Sequence, residues 1–264
     1  MKLEKKQHQE IRIKNILLAI AIIMFLFSAY KLIHIYVEYH KGTKEYDNIV
    51  KEVIENSTSE NNKKNQNHNS LKVNFEKLIE ANPDVVAWIQ FDTPEEINYP
   101  VVQGTDNDKY LKTTFEGKTN AAGAIFMDAT NQKDFSDKNT IIYGHNMNNG
   151  SMFGKLSEYK DKEFYKKNPY FYIYTPDGNE IQYKIFAICT VGDFSPSYAH
   201  YYESDEQYLS YLNHVREIAD YDTRVAPTAD SQIVSLSTCV REAPRQRLLI
   251  HGVKISETMG EKQR

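Results

Sequence analysis

A cysteine at the end of a strand-like run is the residue best suited to chemistry in this chain. Cys239 closes residues 232–239, in which apolar residues alternate with small hydroxyl residues. Alternate residues of an extended strand share one face, so Ser235, Ser237 and Cys239 lie on the same side. We therefore predict a nucleophilic thiol that opens into a polar groove at the mouth of a strand.

Two further strand ends carry groups that can assist a thiol. Residues 139–145 form a second strand-like run that ends in His145, and Arg247 opens a third at residues 247–255. A thiol with the ordinary pKa of about 8.5 is mostly protonated at neutral pH, so a thiol nucleophile needs a nearby base or cation. An imidazole can supply the base, and a guanidinium stays charged and suits a developing oxyanion.

Their positions favour His145 and Arg247 as partners of the thiol, although the sequence does not exclude other histidines and arginines. Among the eight histidines, His145 ends a strand-like run beside turn residues, although a histidine at such a place is more often structural. Arg241, Arg245 and Arg247 all follow the cysteine. Arg247 directly precedes Leu-Leu-Ile, so we expect it at the strand mouth rather than on the connecting loop.

The second cysteine is expected to be structural. Cys189 lies among large apolar residues in the run 183–191, which suits a small core residue. A disulfide between Cys189 and Cys239 is the alternative outside a cell, but a thiol at a polar strand end suits a reactive group better. No Cys/His cluster has zinc spacing, and residues 106–108 lack the rest of a calcium loop. The sequence therefore predicts neither a metal nor another cofactor.

The N-terminal region predicts a membrane anchor. Basic residues precede the apolar run 16–37, which is long enough to span a bilayer as one helix. Because basic flanks stay in the cytoplasm, we expect residues 1–15 inside the cell and the chain beyond the span outside it. A cleaved signal peptide is the competing interpretation, but no small-residue cleavage site follows the run. The formal net charge of -4 argues against nucleic acid as a main partner.

Three regions are predicted beyond the span. Residues 38–70 are polar, with an Asn-rich end, and are expected to form a stalk. Residues 71–257 contain a helical pattern at their start, many short strand-like runs and an amphipathic helical pattern at 204–221. Such a series of strands favours a mostly β barrel or sandwich with helical inserts. Residues 258–264 form a short C-terminal tail.

The motifs together resemble a class B sortase over residues 75–255. The segments that carry the resemblance are Leu236-Ser-Thr-Cys239, Arg247-Leu-Leu-Ile-His-Gly, Tyr143-Gly-His145-Asn-Met, Asn98-Tyr-Pro-Val-Val-Gln103 and Phe126-Met-Asp128. Sortases are membrane-anchored cysteine transpeptidases of Gram-positive bacteria. The resemblance implies a closed β-barrel of about eight strands with an N-terminal helix, and a long helix between the sixth and seventh strands.

The resemblance also implies a reaction and a set of site residues. Cys239, His145 and Arg247 would be catalytic, and the neighbouring motif residues Ser237, Thr238, Asn146 and Tyr143 would bind substrate. The thiol would attack the carbonyl of a Thr in the C-terminal sorting motif of a surface protein. The resulting thioacyl-enzyme would be resolved by an amine of a peptidoglycan precursor or cross-bridge. No cofactor or metal is implied, and the partners would be these two substrates and the cell membrane.

Two other classes of function are weighed against this one. Another cell-surface cysteine acyl-transfer enzyme is the nearer rival. L,D-transpeptidases place His-Gly directly before the cysteine, where this chain has Ser237-Thr238, and papain-like peptidases need a Trp after it, where this chain has Val240. A non-enzymatic anchored binding domain is the other rival, but the tyrosines are spread along the chain as core packing requires.

Overall fold

The computed structural model describes residues 2–55, 68, 70–241 and 243–258. The chain divides into two compact units, Met1–Lys41 and Gly42–Arg264. Helix α1 (Lys2–Val53) supplies the first unit and continues into the second. It contains a stretch that is long and apolar enough to cross a membrane, and the predicted span 16–37 lies within it. Most of the Asn-rich end of the predicted stalk and nearly all of the predicted C-terminal tail lie outside the described residues.

A closed β-barrel forms the body of the second unit. A small antiparallel sheet precedes it, in which β1 (Ile54–Glu55) pairs with β2 (Lys72–Val73). The barrel strands are β3 (Val85–Gln90), β4 (Asn98–Val102), β5 (Ile125–Met127), β6 (Asn139–Tyr143), β7 (Tyr170–Tyr174), β8 (Glu180–Gly192), β9 (Ile233–Val240) and β10 (Ala243–Thr258). Their order around the barrel is β10-β8-β7-β3-β4-β5-β6-β9. The prediction of a closed barrel with about eight strands is confirmed.

Two of the strand pairs in this barrel are parallel. These are β4 with β5 and β6 with β9, whereas the other barrel pairs are antiparallel. Parallel neighbours run in the same direction, so the residues that follow each of them emerge at the same end of the barrel. This places the ends of β6 and β9 together.

Short helices are inserted between the strands. They are α2 (Phe75–Ala81), α3 (Lys162–Lys167), α4 (Asp205–Glu217) and 3₁₀ helices at Lys109–Leu111, Gly154–Lys160 and Pro196–Tyr198. The longest insert, α4, lies between β8 and β9, the sixth and seventh barrel strands, as predicted. Its N-cap Ser204 accepts a hydrogen bond from the Gln207 amide, and its apolar face packs with Ile233 and Val253. It also packs with Phe186 and Ala187, so it lies against β8 and the adjoining parts of β9 and β10.

The last part of α1 packs on the barrel rather than standing apart from it. Tyr46, Ile49 and Val53 are each buried, and the spacing of three and then four residues puts them on one face of the helix. Residues 42–55 therefore belong to the barrel unit, although the sequence analysis placed residues 38–70 in a stalk. The apolar stripe is narrow and lies within a largely polar segment, so average composition conceals it.

We predict that the barrel unit needs this helical segment for stability. Removal of residues 1–41 should leave the free energy of unfolding of the barrel unchanged, whereas removal of residues 1–70 should lower it. Three large side chains lose their burial in the shorter protein, which costs on the order of 5 kcal/mol. Urea unfolding followed by tryptophan fluorescence checks this, because Trp88 is fully buried. Equal midpoints for the two truncated proteins would show that the helix adds nothing.

A charged cluster fixes the chain where it returns to the barrel. The His68 ring stacks on Tyr172 with 3.4 Å between ring centroids, and its Nδ1 lies 2.8 Å from Asp92 Oδ1. Its Nε2 lies 3.5 Å from Glu180 Oε1. Burial alone lowers the pKa of His68, but the two carboxylates outweigh it and raise the pKa to about 9.

We predict a corresponding loss of stability at alkaline pH. A histidine in the unfolded chain has a pKa of about 6.5, so the stabilisation by His68 is complete below that pH and is lost as the pH rises through about 9. Urea unfolding of the wild type should therefore show a fall in stability between these pH values that His68→Gln lacks. His214→Gln on α4 is the control and should keep the wild-type pH dependence. A His68→Gln curve parallel to the wild-type curve would contradict the prediction.

Candidate active site

The exposed thiol and a guanidinium lie side by side at the end of the barrel. Cys239 is exposed near the end of β9 and is the direct antiparallel partner of Arg247 on β10. Side chains of directly paired residues project from the same face of a sheet and approach within about 5 Å at Cβ. Arg245 lies beyond an irregularity in the pairing between Ala243 and Arg247, and its carbonyl accepts a hydrogen bond from the Asp193 amide. Arg247, rather than Arg245, is therefore the arginine paired with Cys239.

The parallel pairing of β6 with β9 brings His145 to the same place. Tyr143 is aligned with Ser237, and the Gly144 amide donates to the Ser237 carbonyl at 3.1 Å. His145 and Cys239 each follow this aligned pair by two residues. The Asn146 Nδ2 then donates to the Cys239 carbonyl at 2.8 Å, which ties the two strand ends together. All three residues predicted to be catalytic thus meet at one end of the barrel.

One hydrogen bond determines which nitrogen of His145 carries a proton. Its Nε2 lies 2.7 Å from the backbone carbonyl of Leu111. Because a carbonyl only accepts, Nε2 is the donor, and in the neutral ring the lone pair is on Nδ1. Within the described part of the chain Nδ1 makes no hydrogen bond. Nδ1 is therefore the nitrogen available for proton exchange.

The four residues predicted to bind substrate occupy different positions. Asn146 spans to the Cys239 carbonyl, as described above. The Ser237 hydroxyl is 2.8 Å from the Tyr198 hydroxyl, and the Tyr143 hydroxyl donates to Asp128 Oδ2 at 2.9 Å. Thr238 lies on the opposite face of β9, with Val234 and Leu236, and so faces the barrel interior. Its side chain is buried, and its Oγ1 has no hydrogen-bond partner among the described residues.

Tyr198 forms a wall of this site that the sequence analysis did not predict. It lies in the 3₁₀ helix between β8 and α4, and its ring centroid is 6.4 Å from that of Tyr143. Burial raises the pKa of Tyr198, whereas the Ser237 hydroxyl and the charge of Arg247 act in the opposite direction. The chain has 19 tyrosines, and no spacing distinguishes this one. The Leu111 carbonyl was also missed, because a backbone group leaves no mark on residue type.

A buried carboxylate supports the Tyr143 side of the wall. Burial by itself would raise the pKa of Asp128, but hydrogen bonds from Thr130, Tyr143 and Asn107 lower it below its ordinary value. Burial and the Asp128 charge raise the pKa of Tyr143. The tyrosine therefore stays neutral and donates, and the carboxylate stays charged and accepts. This polarity fixes the Tyr143 ring beside the site.

A second cysteine and histidine pair lies in the core. Cys189 Sγ and His251 Nε2 are 3.7 Å apart, and both residues are fully buried. Ser235 Oγ donates to Asn139 Oδ1 and lies 2.7 Å from His251 Nδ1, so Nδ1 is the donor in that bond. The thiol of Cys189 therefore donates to Nε2.

Burial keeps this second pair neutral. It raises the pKa of Cys189 to about 12 and lowers the pKa of His251 to about 3. At neutral pH the pair consists of a thiol and an imidazole, neither of which reaches solvent. Cys189 is thus a core residue, as its apolar neighbours predicted. Both cysteines are free thiols, so the alternative of a disulfide is wrong.

Comparison with known proteins identifies the sortase family. The sortase domain family matches residues 92–255. The chain is 34% identical to sortase B of Listeria monocytogenes, over 89% of this chain and 93% of that protein. It is 30% identical to sortase B of Staphylococcus aureus, over 86% of this chain and 88% of that protein.

Solved structures agree with the sequence comparison. Sortase B from B. anthracis in complex with AAEK1 superimposes with a TM-score of 0.70 and 31% identity, covering 84% of this chain and 99% of that chain. The Staphylococcus aureus sortase B–substrate complex gives a TM-score of 0.65 and 29% identity, covering 69% of this chain and 85% of that chain. These matches decide against the two rival classes of function. The chain belongs to the sortase family and is a cysteine transpeptidase of the sortase B type.

Proposed function

We propose that Cys239, His145 and Arg247 are the catalytic residues of this transpeptidase. The observation that carries the proposal is their convergence, because the end of β9, the segment after β6 and the paired position on β10 bring a thiol, an imidazole and a guanidinium to one end of the barrel. The other thiol of the chain is buried and neutral, so substrate cannot reach it. Cys239 is therefore the nucleophile.

The geometry suits acyl transfer in two steps. The Cys239 thiol gives its proton to His145 Nδ1 as its sulfur attacks the substrate carbonyl carbon, and the oxyanion that forms lies beside the Arg247 guanidinium. As the C–N bond breaks, His145 gives a proton from Nδ1 to the departing amine. An incoming amine then attacks the thioester carbonyl and passes a proton back to Nδ1, and the sulfur departs. The Leu111 carbonyl supports the imidazolium that forms within each step, because it accepts from Nε2 throughout.

The substrates are proposed from the family. The acyl donor is a surface protein with a C-terminal sorting motif that is cleaved after Thr, and the acceptor is an amine of a peptidoglycan precursor or cross-bridge. The Staphylococcus aureus relative has been solved as a sortase B–substrate complex, which supports the proposal that this chain also binds a substrate. Ser237, Tyr143 and Asn146 border the thiol here and are proposed to bind the sorting peptide. Thr238 presents its backbone, since its side chain faces inward.

We predict that the two cysteines respond oppositely to substitution. Cys239→Ala should abolish cleavage of a sorting peptide and formation of the thioacyl-enzyme, as followed by mass spectrometry. Cys189→Ala should keep both activities, but it leaves the buried His251 Nε2 without a donor and should cost about 1–3 kcal/mol of stability. Cys189→Ser restores a donor and is the matched control. An adduct of a vinyl sulfone peptide on Cys189 would refute the assignment.

We also predict distinct effects for the histidine and the two arginines. His145→Ala and Arg247→Ala should each lower kcat/KM by roughly 10²-fold or more, because each removes a group that acts in the transition state. Both variants should fold, since both side chains lie at the barrel mouth. Arg245→Ala is the control and should retain activity within a few-fold. If Arg245→Ala proved more damaging than Arg247→Ala, the pairing of Cys239 with Arg247 would not describe the working enzyme.

The orientation in the membrane is the remaining part of the proposal. Residues 1–15 lie in the cytoplasm, residues 16–37 span the membrane once, and the catalytic unit lies on the outer surface. The basic N-terminal flank and the apolar helix support this arrangement. Protease added to intact protoplasts should digest the catalytic unit and spare an N-terminal epitope tag. A protected catalytic unit would overturn both the orientation and the action on surface proteins.

A further inference from the structure

Two loops flank His145, and the last part of α1 contacts both of them. The first loop, residues 109–123, carries the Leu111 carbonyl that accepts from His145 Nε2. The second loop, residues 146–153, follows His145 directly, and its Phe153 amide donates to the His145 carbonyl at 2.9 Å. The regular structure of these loops is limited to one 3₁₀ turn at Lys109–Leu111 and the isolated bridges Thr113–Thr119 and Asn146–Met152, so contacts from outside the loops also help to fix their conformation.

Tyr46 of α1 holds the first loop at two points. Its hydroxyl donates to the Gly123 carbonyl at 2.7 Å and accepts from the Phe115 amide at 3.2 Å. The neighbouring Glu45 carboxylate accepts from the Glu116 amide at 3.2 Å. Tyr46 and Glu45 are both buried, so these hydrogen bonds are largely protected from competition with water.

Gly123 is packed against Leu111, whose carbonyl accepts from His145, so the hydrogen bond from Tyr46 to Gly123 also restrains that carbonyl. Gly123 adopts a φ of +57°, and a Cβ at this position would lie 2.9 Å from the Leu111 carbonyl oxygen and 2.4 Å from that of Tyr110. The chain at Gly123 is therefore packed directly against the Leu111 peptide group. Movement of Gly123 would shift the acceptor of His145.

The second loop is held from the same helix. The Tyr46 ring contacts Tyr99 edge-on, with 5.3 Å between centroids, and the Tyr99 hydroxyl accepts from the Met152 amide at 3.0 Å. Asn149 Nδ2 also donates to Thr43 Oγ1 at 3.1 Å. Tyr46 therefore contacts the first loop directly and the second loop through Tyr99.

We propose that Tyr46 is a positioning residue for His145. By fixing residues 109–123 it keeps the Leu111 carbonyl on Nε2, and this leaves Nδ1 aimed at the reacting groups. The inference rests on the proposed catalytic role of His145 and extends the catalytic machinery to the helix that continues from the predicted membrane span. Tyr46 touches no reacting atom and acts only through the two loops.

The test compares two tyrosines whose hydroxyls each contact backbone groups. Tyr46 supports a loop at the end of the barrel where His145 and Cys239 lie, and Tyr208 contacts residues at the other ends of β6 and β9. Tyr46→Phe removes one hydroxyl and its hydrogen bonds while keeping the ring. Tyr208→Phe is the matched control, because the Tyr208 hydroxyl also makes two backbone contacts, donating to the Lys138 carbonyl at 3.0 Å or to that of Ser231 at 2.9 Å. Those carbonyls precede β6 and β9, whereas His145 and Cys239 lie at the other ends of these strands.

Two readouts are measured on the full-length protein in detergent micelles. The first is the tautomer of His145, read from ¹⁵N chemical shifts of labelled histidine and assigned with His145→Gln. The second is the division of any loss between kcat and KM, measured with a fluorogenic sorting-motif peptide that the wild type cleaves. We expect Tyr46→Phe to replace a single Nε2–H form by a mixture of tautomers. We expect its kcat to fall about tenfold, with KM changed by about twofold at most.

Tyr208→Phe should lose stability comparably and leave both readouts at their wild-type values. An unchanged tautomer in Tyr46→Phe, or an equal loss of kcat in both variants, would overturn the proposal. The tautomer measurement needs no substrate and so separates this inference from the proposed function. Full activity of His145→Ala would reject the catalytic role of the histidine, whereas an unmoved tautomer would reject only the role of Tyr46.

Discussion

The parallel pairing of β6 with β9 is the constraint on which the site depends. Strands that run in the same direction deliver whatever follows them to the same end of the barrel. His145 and Cys239 are far apart in sequence, and the alignment of Tyr143 with Ser237 is what makes them neighbours. A shift of one residue in this register would turn the thiol toward the barrel interior, because side chains alternate along a strand. Barrel closure holds the register, since neither strand is free to slide at an edge.

The two thiols differ more in their exposure to solvent than in the types of residue around them. Each cysteine has a histidine at its end of the fold, but only Cys239 is exposed, whereas Cys189 and His251 are fully buried and Cys189 packs with Tyr198 of the 3₁₀ helix before α4. The buried pair forms a polar chain through Ser235 and Asn139 that joins β8, β10, β9 and β6. Such a fully satisfied chain specifies packing and contributes no reactivity. Reactivity requires the same groups at the rim, where an arginine accompanies them.

The sequence predicted the strands and helices, but it did not predict the tertiary contacts that hold them in place. Alternation along 232–239 predicted β9 and the polar face on which Cys239 lies. The predicted strand start at Arg247 differs from the structure, because β10 begins at Ala243 and Arg247 follows an irregularity in its pairing with β9. The burial of Tyr46 could not be predicted, because its partners, the Gly123 carbonyl and the Phe115 amide, are backbone groups of a distant loop. Tyr198 was missed for a similar reason, since its place is set by how the segment before α4 folds over β9. The position of Thr238 follows from strand alternation, which also explains why its hydroxyl faces inward.

The separation of the two thiols has a consequence for oxidation. Cys189 lies on β8 and Cys239 on β9, with β10 between them, so the strands are two spacings or roughly 10 Å apart. A disulfide requires Cα atoms within about 7 Å, and the chain has only two cysteines. A sulfenic acid formed on the exposed thiol therefore finds no partner thiol within the molecule. Recovery of the nucleophile then depends on a thiol supplied from outside the chain, and without one oxidation proceeds to irreversible acids.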